Sequence, residues 1–251
     1  MASEKTQAIV LKVIEFSETS CVLTLFTEHF GKVSALAKGA RRPKGPFEGA
    51  LDLLAVVRIV FLRKSSDALD LLTEAKLQRR FRSAQRDLSR LYAGYYVAEL
   101  LLELTDAGDP HPELFTAADE TLLALDTGEA VAETVLKFEL NALQLLGHLP
   151  LFSECVNCGR PVEQEGRVAF GLTAGGVLCQ ACRPGQRQVA SVSGACLQAL
   201  RKFAETSAED ARELALDPGI RGELRGVWNN YMAHLLGHKP RMHAFLGILA
   251  H

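Results

Sequence analysis

No apolar run in this sequence is long enough to cross a bilayer. The longest, Leu53 to Leu62, is broken by Arg58 and falls well short of the ~20 residues that a membrane helix needs. The opening Met1-Ala2-Ser3-Glu4-Lys5-Thr6-Gln7 has no apolar stretch behind a basic start, so no secretory signal is expected and a cytoplasmic protein is. Cysteine is scarce: six among 251 residues are too few to staple a chain of this size, which excludes a disulfide scaffold. Also missing are a phosphate-binding glycine signature, HExxH, GxSxG, and any acid or histidine cluster beside a nucleophile turn. No enzyme is expected on those grounds. There is no internal repeat and no low-complexity segment.

What is present is ordinary globular material, 48% hydrophobic and 23% charged, in a length that makes one large domain or two to three small ones. The net charge of −2 conceals a segregation. Residues 1–90 carry 16 Lys and Arg against 10 Asp and Glu, residues 91–154 carry 1 against 12, and residues 155–251 carry 11 against 8. Because exposed charges are screened within ~8 Å at physiological salt, the local balance matters more than the total. The basic first third is where a polyanion would be held, and a solvated mixed surface is the bland alternative.

Alternating and β-branched apolar positions predict strands over residues 8–14, 21–27, 32–37, 53–62 and 68–75, with Ser65-Ser66-Asp67 as the turn before the last. Five short strands without intervening helices favour a small antiparallel barrel, since closure removes vulnerable edges. That is the size of an oligonucleotide-binding (OB) fold. After Ser83 the period changes to that of a helix. Helices are predicted from Leu88 to Thr105, Pro112 to Leu125, Glu129 to Leu146, Ser193 to Ala204, and Arg221 to Leu236, with Pro at N1 and Gly after the ends as punctuation. The fold class is therefore α+β and multidomain. An OB-fold β-barrel over 1–80 precedes a helical domain in two parts, 81–152 and 189–251, whose helices are expected to form one bundle around an insert at 153–188.

That insert carries the sharpest motif. Cys155-Val156-Asn157-Cys158 is followed after 20 residues by Cys179-Gln180-Ala181-Cys182. Each CxxC turn offers two thiolates to one ion, and two turns complete the tetrahedron that Zn²⁺ accepts with no place left for water. One structural zinc in a ribbon is the reading, with Arg167–Phe170 and Gly175–Leu178 as a hairpin. Redox CxxC pairs or two disulfides remain alternatives, although no βαβ pattern accompanies them. Cys21 and Cys196 fall at apolar positions and are expected to be core thiols. Trp228, Tyr231 and the tyrosines at 92, 95 and 96 are likewise expected in the core. His234 and His238 are read as cations near a helix C-terminus.

Between the third and fourth strands lies Lys38-Gly39-Ala40-Arg41-Arg42-Pro43-Lys44-Gly45-Pro46. Its cations could follow a phosphate chain, or simply face solvent. With Ser17-Glu18-Thr19-Ser20, Leu23-Thr24-Leu25-Phe26-Thr27, Gly31-Lys32 and Ala35-Leu36-Ala37 ahead of it, this stretch resembles the N-terminal signature of the bacterial recombination mediator RecO family. The later cysteine insert is similar to that family's zinc module. One departure is Gly49-Ala50-Leu51-Asp52-Leu53-Leu54, where many relatives carry an aromatic after a Leu-x-Pro step.

The resemblance implies binding to single- and double-stranded DNA and strand annealing. It also implies association with RecR, contact with the acidic C-terminal tail of single-stranded DNA-binding protein, help in loading RecA, and a place in the cytoplasm with the nucleoid. The phosphate contacts expected first are Lys38, Arg41, Arg42 and Lys44. A second set is Arg79, Arg80, Arg82 and Arg86, with Arg90; Arg79, Arg82, Arg86 and Arg90 would share a helical face if the helix begins early. The rival reading is a zinc-containing interaction adaptor with little direct DNA binding.

Overall fold

The computed structural model describes residues 2–42, 45, 47, 49–64, 68–83, 87–207, 210 and 214–245. The chain divides into two compact units, Met1–Gly128 and Glu129–His251.

In the first unit five strands, β1 (Ala2–Glu15), β2 (Cys21–Thr27), β3 (Gly31–Ala37), β4 (Val56–Arg63) and β5 (Asp70–Arg79), close in the order β1-β2-β3-β5-β4. β1 is twice as long as the alternation alone predicts because its first half pairs with β4, from Ala2 opposite Arg63 to Ile9 opposite Val56, while its second half pairs with β2. A register shift between Val10 and Lys12 lets one strand serve both neighbours, as a bulge bends a strand at a barrel corner. The closing seam is short and parallel, only Ala35–Ala37 against Asp70–Leu72. Alternate side chains Ala8, Val10, Leu23, Leu25, Val57, Ile59 and Phe61 point inward and are almost entirely buried. At ~25 cal/mol per Å², this apolar core is what holds the sheet closed.

The fourth strand does not begin at Leu53. Leu54 has a positive φ of 65° and its N–H donates to the Val10 carbonyl at 2.8 Å, so the chain turns there before entering β4. The predicted turn at Ser65-Ser66-Asp67 lies outside the described residues. At the β2–β3 turn Gly31 has φ +64°, and a Cβ there would stand 2.2 Å from the Asp109 carbonyl oxygen.

Helices α1 (Leu88–Leu104) and α2 (Pro112–Thr127) pack on this sheet, against β1 and β2 respectively. Gly94 brings α1 close: a Cβ there would lie 2.7 Å from Leu54. The Lys32 ammonium donates to the carbonyls of Leu102 and Thr105, both at 2.6 Å, satisfying acceptors that the end of α1 leaves open. Burial draws the Lys32 pKa below the ordinary lysine value, with Asp106 and Glu103 opposing.

In the second unit α3 (Val131–Leu145), α4 (Gly194–Glu205) and α5 (Pro218–Leu236) pack together, with a three-stranded sheet of order β7-β6-β8. The expected hairpin is present as β6 (Arg167–Gly171) and β7 (Gly176–Leu178); β8 (Val189–Ser193) is an additional strand on its other side. The single bundle expected from the sequence is thus divided, since α1 and α2 bury their apolar faces on the first unit's sheet. Glu139 and Arg225 form a buried two-pronged ion pair, 2.7 and 3.3 Å, and Arg225 also donates to Asn229 Oδ1 at 3.1 Å. Lys137 repeats the role of Lys32, donating to the Phe203 and Thr206 carbonyls at the end of α4. Trp228 is fully buried and Tyr231, Tyr96, Cys21 and Cys196 are buried too, as expected. Among the described residues no helix is long and apolar enough to cross a membrane.

Candidate nucleic-acid and metal sites

β3 ends at Ala37, and the chain turns through Lys38, Gly39, Ala40, Arg41 and Arg42. Gly39 supplies a positive φ of 72°, and the Arg42 N–H closes the turn on the Gly39 carbonyl at 3.1 Å. The turn leans on the β1–β2 connection: the Arg41 N–H donates to the Thr19 carbonyl at 3.1 Å, and the Arg41 guanidinium meets the Glu15 carboxylate at 3.0 Å. Lys38, Arg41 and Arg42 are all exposed, and Lys38 and Arg42 make no ion pair with any described residue. Lys44 lies outside the described residues.

The second set of cations is placed differently. Arg79 ends β5 instead of starting a helix, and its guanidinium is engaged by Asp119 and, at 4.0 Å, by Asp126. Arg90, on α1, bonds Asp87 at 3.3 Å and the Leu125 carbonyl at 2.8 Å. α1 begins only at Leu88, where Asp87 caps it by accepting from the Ser89 N–H at 2.8 Å. The common helical face expected for Arg79, Arg82, Arg86 and Arg90 therefore does not form, because β5 extends through Arg79 in pairing with Val56. Arg80 donates to the Gly49 carbonyl at 3.0 Å and faces Asp52 at 3.8 Å. The Arg82 side chain is exposed, and Arg86 lies outside the described residues.

A cluster the sequence reading missed lies on the outer face of β1, β4 and β5. Lys5, Arg58 and Lys76 line a groove of about 700 Å³ together with Glu74 and with Gly45 of the basic turn. The register sets Arg58 directly opposite Lys76, a like-charge pairing that destabilises a sheet unless an anion offsets it. None of the three makes an ion pair with a described residue. Their signal was available in principle, as all three occupy outward positions of the alternation, but the pairing of β1 with β4 was needed to bring them together.

In the second unit the sulfurs of Cys155, Cys158, Cys179 and Cys182 all lie within 4.8 Å of one another. Cys155 sits on a knuckle where the Gly159 N–H returns to the Cys155 carbonyl at 2.8 Å, with Gly159 at φ +69°. The second knuckle follows β7, with the N–H groups of Cys182 and Arg183 donating to the Cys179 carbonyl at 3.1 and 3.0 Å. The two are held together because the Val156 N–H donates to the Val177 carbonyl at 3.0 Å.

None of the six cysteines is bonded to another in the structure. A tetrahedral ion with sulfur ligands at about 2.3 Å has edges of about 3.8 Å, and Cys158 and Cys179 have their sulfurs 3.8 Å apart. Burial pushes the Cys155 thiol up, but N–H groups of Cys179, Asn157 and Cys158 outweigh it and bring the pKa down to about 6; hydrogen bonds with Cys179 and Cys158 push Cys182 up to about 12. A single metal ion fits this donor set.

A closed five-stranded sheet bearing exposed cations, and a second unit of helices with a four-thiol cluster that could hold one metal ion, define a two-unit α+β protein. Comparison with known families places it further. The family described as recombination protein O N terminal matches residues 1–81, and that described as recombination protein O C terminal matches residues 85–243. The chain belongs to the recombination protein O (RecO) family. It is 46% identical to a DNA repair protein RecO of Rhodopirellula baltica, over 95% of this chain and 97% of that one. It is 33% identical to one of Anaeromyxobacter dehalogenans, over 98% and 96%, and 34% identical to one of Myxococcus xanthus, over 95% of each.

Proposed function

We propose that this protein is a recombination mediator in DNA repair that holds single- and double-stranded DNA by their phosphates, without reading sequence. The observation that carries the reading is the exposed cationic turn of Lys38, Arg41 and Arg42, which Lys44 follows in sequence, on a closed five-stranded sheet whose outer groove adds Lys5, Arg58 and Lys76. OB-type sheets bind strands with cationic grooves and neighbouring loops. Arg80 and Arg82 form an outer tier, and Arg86 joins the proposal from the sequence alone. At Arg79 a phosphate has to compete with two carboxylates, so its contribution is the smallest.

Two strands neutralised on one surface lose much of their mutual repulsion, which is all that annealing requires of the protein. The functional segments follow as an OB domain over 1–80, helical parts over 81–152 and 189–251, and a zinc module over 153–188 with one structural Zn²⁺ on Cys155, Cys158, Cys179 and Cys182. RecR, RecA loading, the acidic tail of single-stranded DNA-binding protein and a cytoplasmic, nucleoid-associated location complete the proposal by family membership.

Fluorescence anisotropy of a labelled single-stranded oligonucleotide across a salt series tests it. The triple variant Lys38→Ala/Arg41→Ala/Arg42→Ala is expected to lose affinity and to flatten the salt slope by about 2, at roughly 0.7 per phosphate contact. Unchanged affinity and slope exclude the turn. No binding by the wild-type protein even at low salt favours an interaction adaptor instead.

A further inference from the structure

Phe16 stands at the end of β1, and its side chain is 65% exposed, more than any other large apolar side chain among the described residues. Its backbone is nevertheless fixed. The N–H groups of Phe16 and Ser17 donate to the Ser20 carbonyl at 3.0 and 3.1 Å, and Ser17 Oγ accepts from the Ser20 N–H at 3.2 Å. This hairpin end is the same one that supports the cationic turn, through Thr19 to the Arg41 N–H and through Glu15 to the Arg41 guanidinium. Two residues back along β1, Ile14 is 48% exposed, and Lys12 beyond it is exposed as well. An aromatic side chain left in water thus follows directly in sequence the carboxylate that meets Arg41, on an ordered hairpin end that backs the cationic turn.

We propose that Phe16 is a stacking platform for one unpaired base of a single strand whose backbone runs past Lys38, Arg41 and Arg42. The proposal rests on the DNA-binding reading above and deepens it by assigning a preference for single strands. A base in a duplex has both faces covered by its neighbours, whereas an unpaired base offers a face, and stacking on an aromatic ring is tolerant of sequence. Phosphate contacts alone do not make that distinction.

The full-length protein with Phe16→Trp gives a direct readout, because the single native tryptophan, Trp228, is fully buried in the other unit. Adding unlabelled oligo(dT) is expected to quench the new emission, and adding the same concentration of duplex is not. Phe16→Ala is expected to weaken oligo(dT) binding about tenfold with the salt slope and duplex affinity unchanged, since no charge is removed. An unaltered melting temperature confirms that the exposed site leaves the fold intact. Phe16→Tyr should keep wild-type affinity and Phe16→Leu should not.

Full affinity in Phe16→Leu assigns the residue to a merely apolar contact, such as one with a partner protein, and overturns the proposal. So does wild-type affinity in Phe16→Ala, or an emission blind to oligo(dT). If these occur while the triple turn variant still loses binding, stacking alone fails. If the wild-type protein binds neither strand, the DNA-binding reading fails with it.

Discussion

In the first unit the cations of the 38–42 turn stay in water, whereas in the second the Arg225 guanidinium and the Glu139 carboxylate have been taken out of it. Both arrangements place charge deliberately, but with opposite consequences. A buried ion pair is tolerable only while both partners are present, so the second unit has committed its charge to architecture. The exposed turn gives up little stability when a side chain is removed, because the median surface ion pair contributes about 0–1 kcal/mol. Its cations are available to a ligand. The same division applies to sulfur, with four thiols gathered into one cluster in the second unit and only the core thiol Cys21 in the first.

Metal removal should break this comparison most severely. Cys155→Ser, or treatment with a strong chelator, is expected to abolish the cooperative melting of the second unit, as structural zinc contributes on the order of 10 kcal/mol to small modules. Metal analysis of the untreated protein should give one ion per chain. If oligonucleotide affinity is lost along with the metal, the assignment of binding to the first unit is wrong.

Next in size is the buried pair. Glu139→Ala alone is expected to destabilise the second unit by about 3–5 kcal/mol in urea denaturation, while Glu139→Leu with Arg225→Met should recover most of that loss. A single variant near wild-type stability would contradict the burial of this pair.

The smallest effect is a sharpening by pH. Tyr231 donates its hydroxyl to the His148 carbonyl at 2.8 Å, and burial pushes its pKa up to about 12. Its folded-state pKa lies above the ordinary value, so the contribution is fully present below pH ~10 and is lost as the pH rises toward the folded value. The expected loss is roughly 2–3 kcal/mol across that window. Cys196, also pushed up to about 12 by burial, acts in the same direction. Tyr231→Phe should therefore reduce the alkaline slope without removing it.

Local chemistry made much of this legible in the sequence. The CxxC spacing foretold the thiol cluster, the alternation foretold five strands, and glycine and proline marked the helix ends. What remained hidden depends on pairing. The first residues of β1 are polar and become a strand only because β4 lies beside them; β8 depends in the same way on β6. Leu54 reads as strand by composition, yet its backbone turns. The arginines at 79 and 82 look alike in sequence, and only the arrival of α2 separates them: Asp119 and Asp126 engage the Arg79 guanidinium, whereas Arg82 gives Asp126 its backbone N–H and leaves its side chain exposed. Lys5, Arg58 and Lys76 became a group only through register.

The parallel seam between β3 and β5 is narrow. It spans three residue pairs and ends at Ala37, one residue before Lys38. The ring is therefore joined by the fewest residue pairs of any of its five seams directly beside the exposed turn.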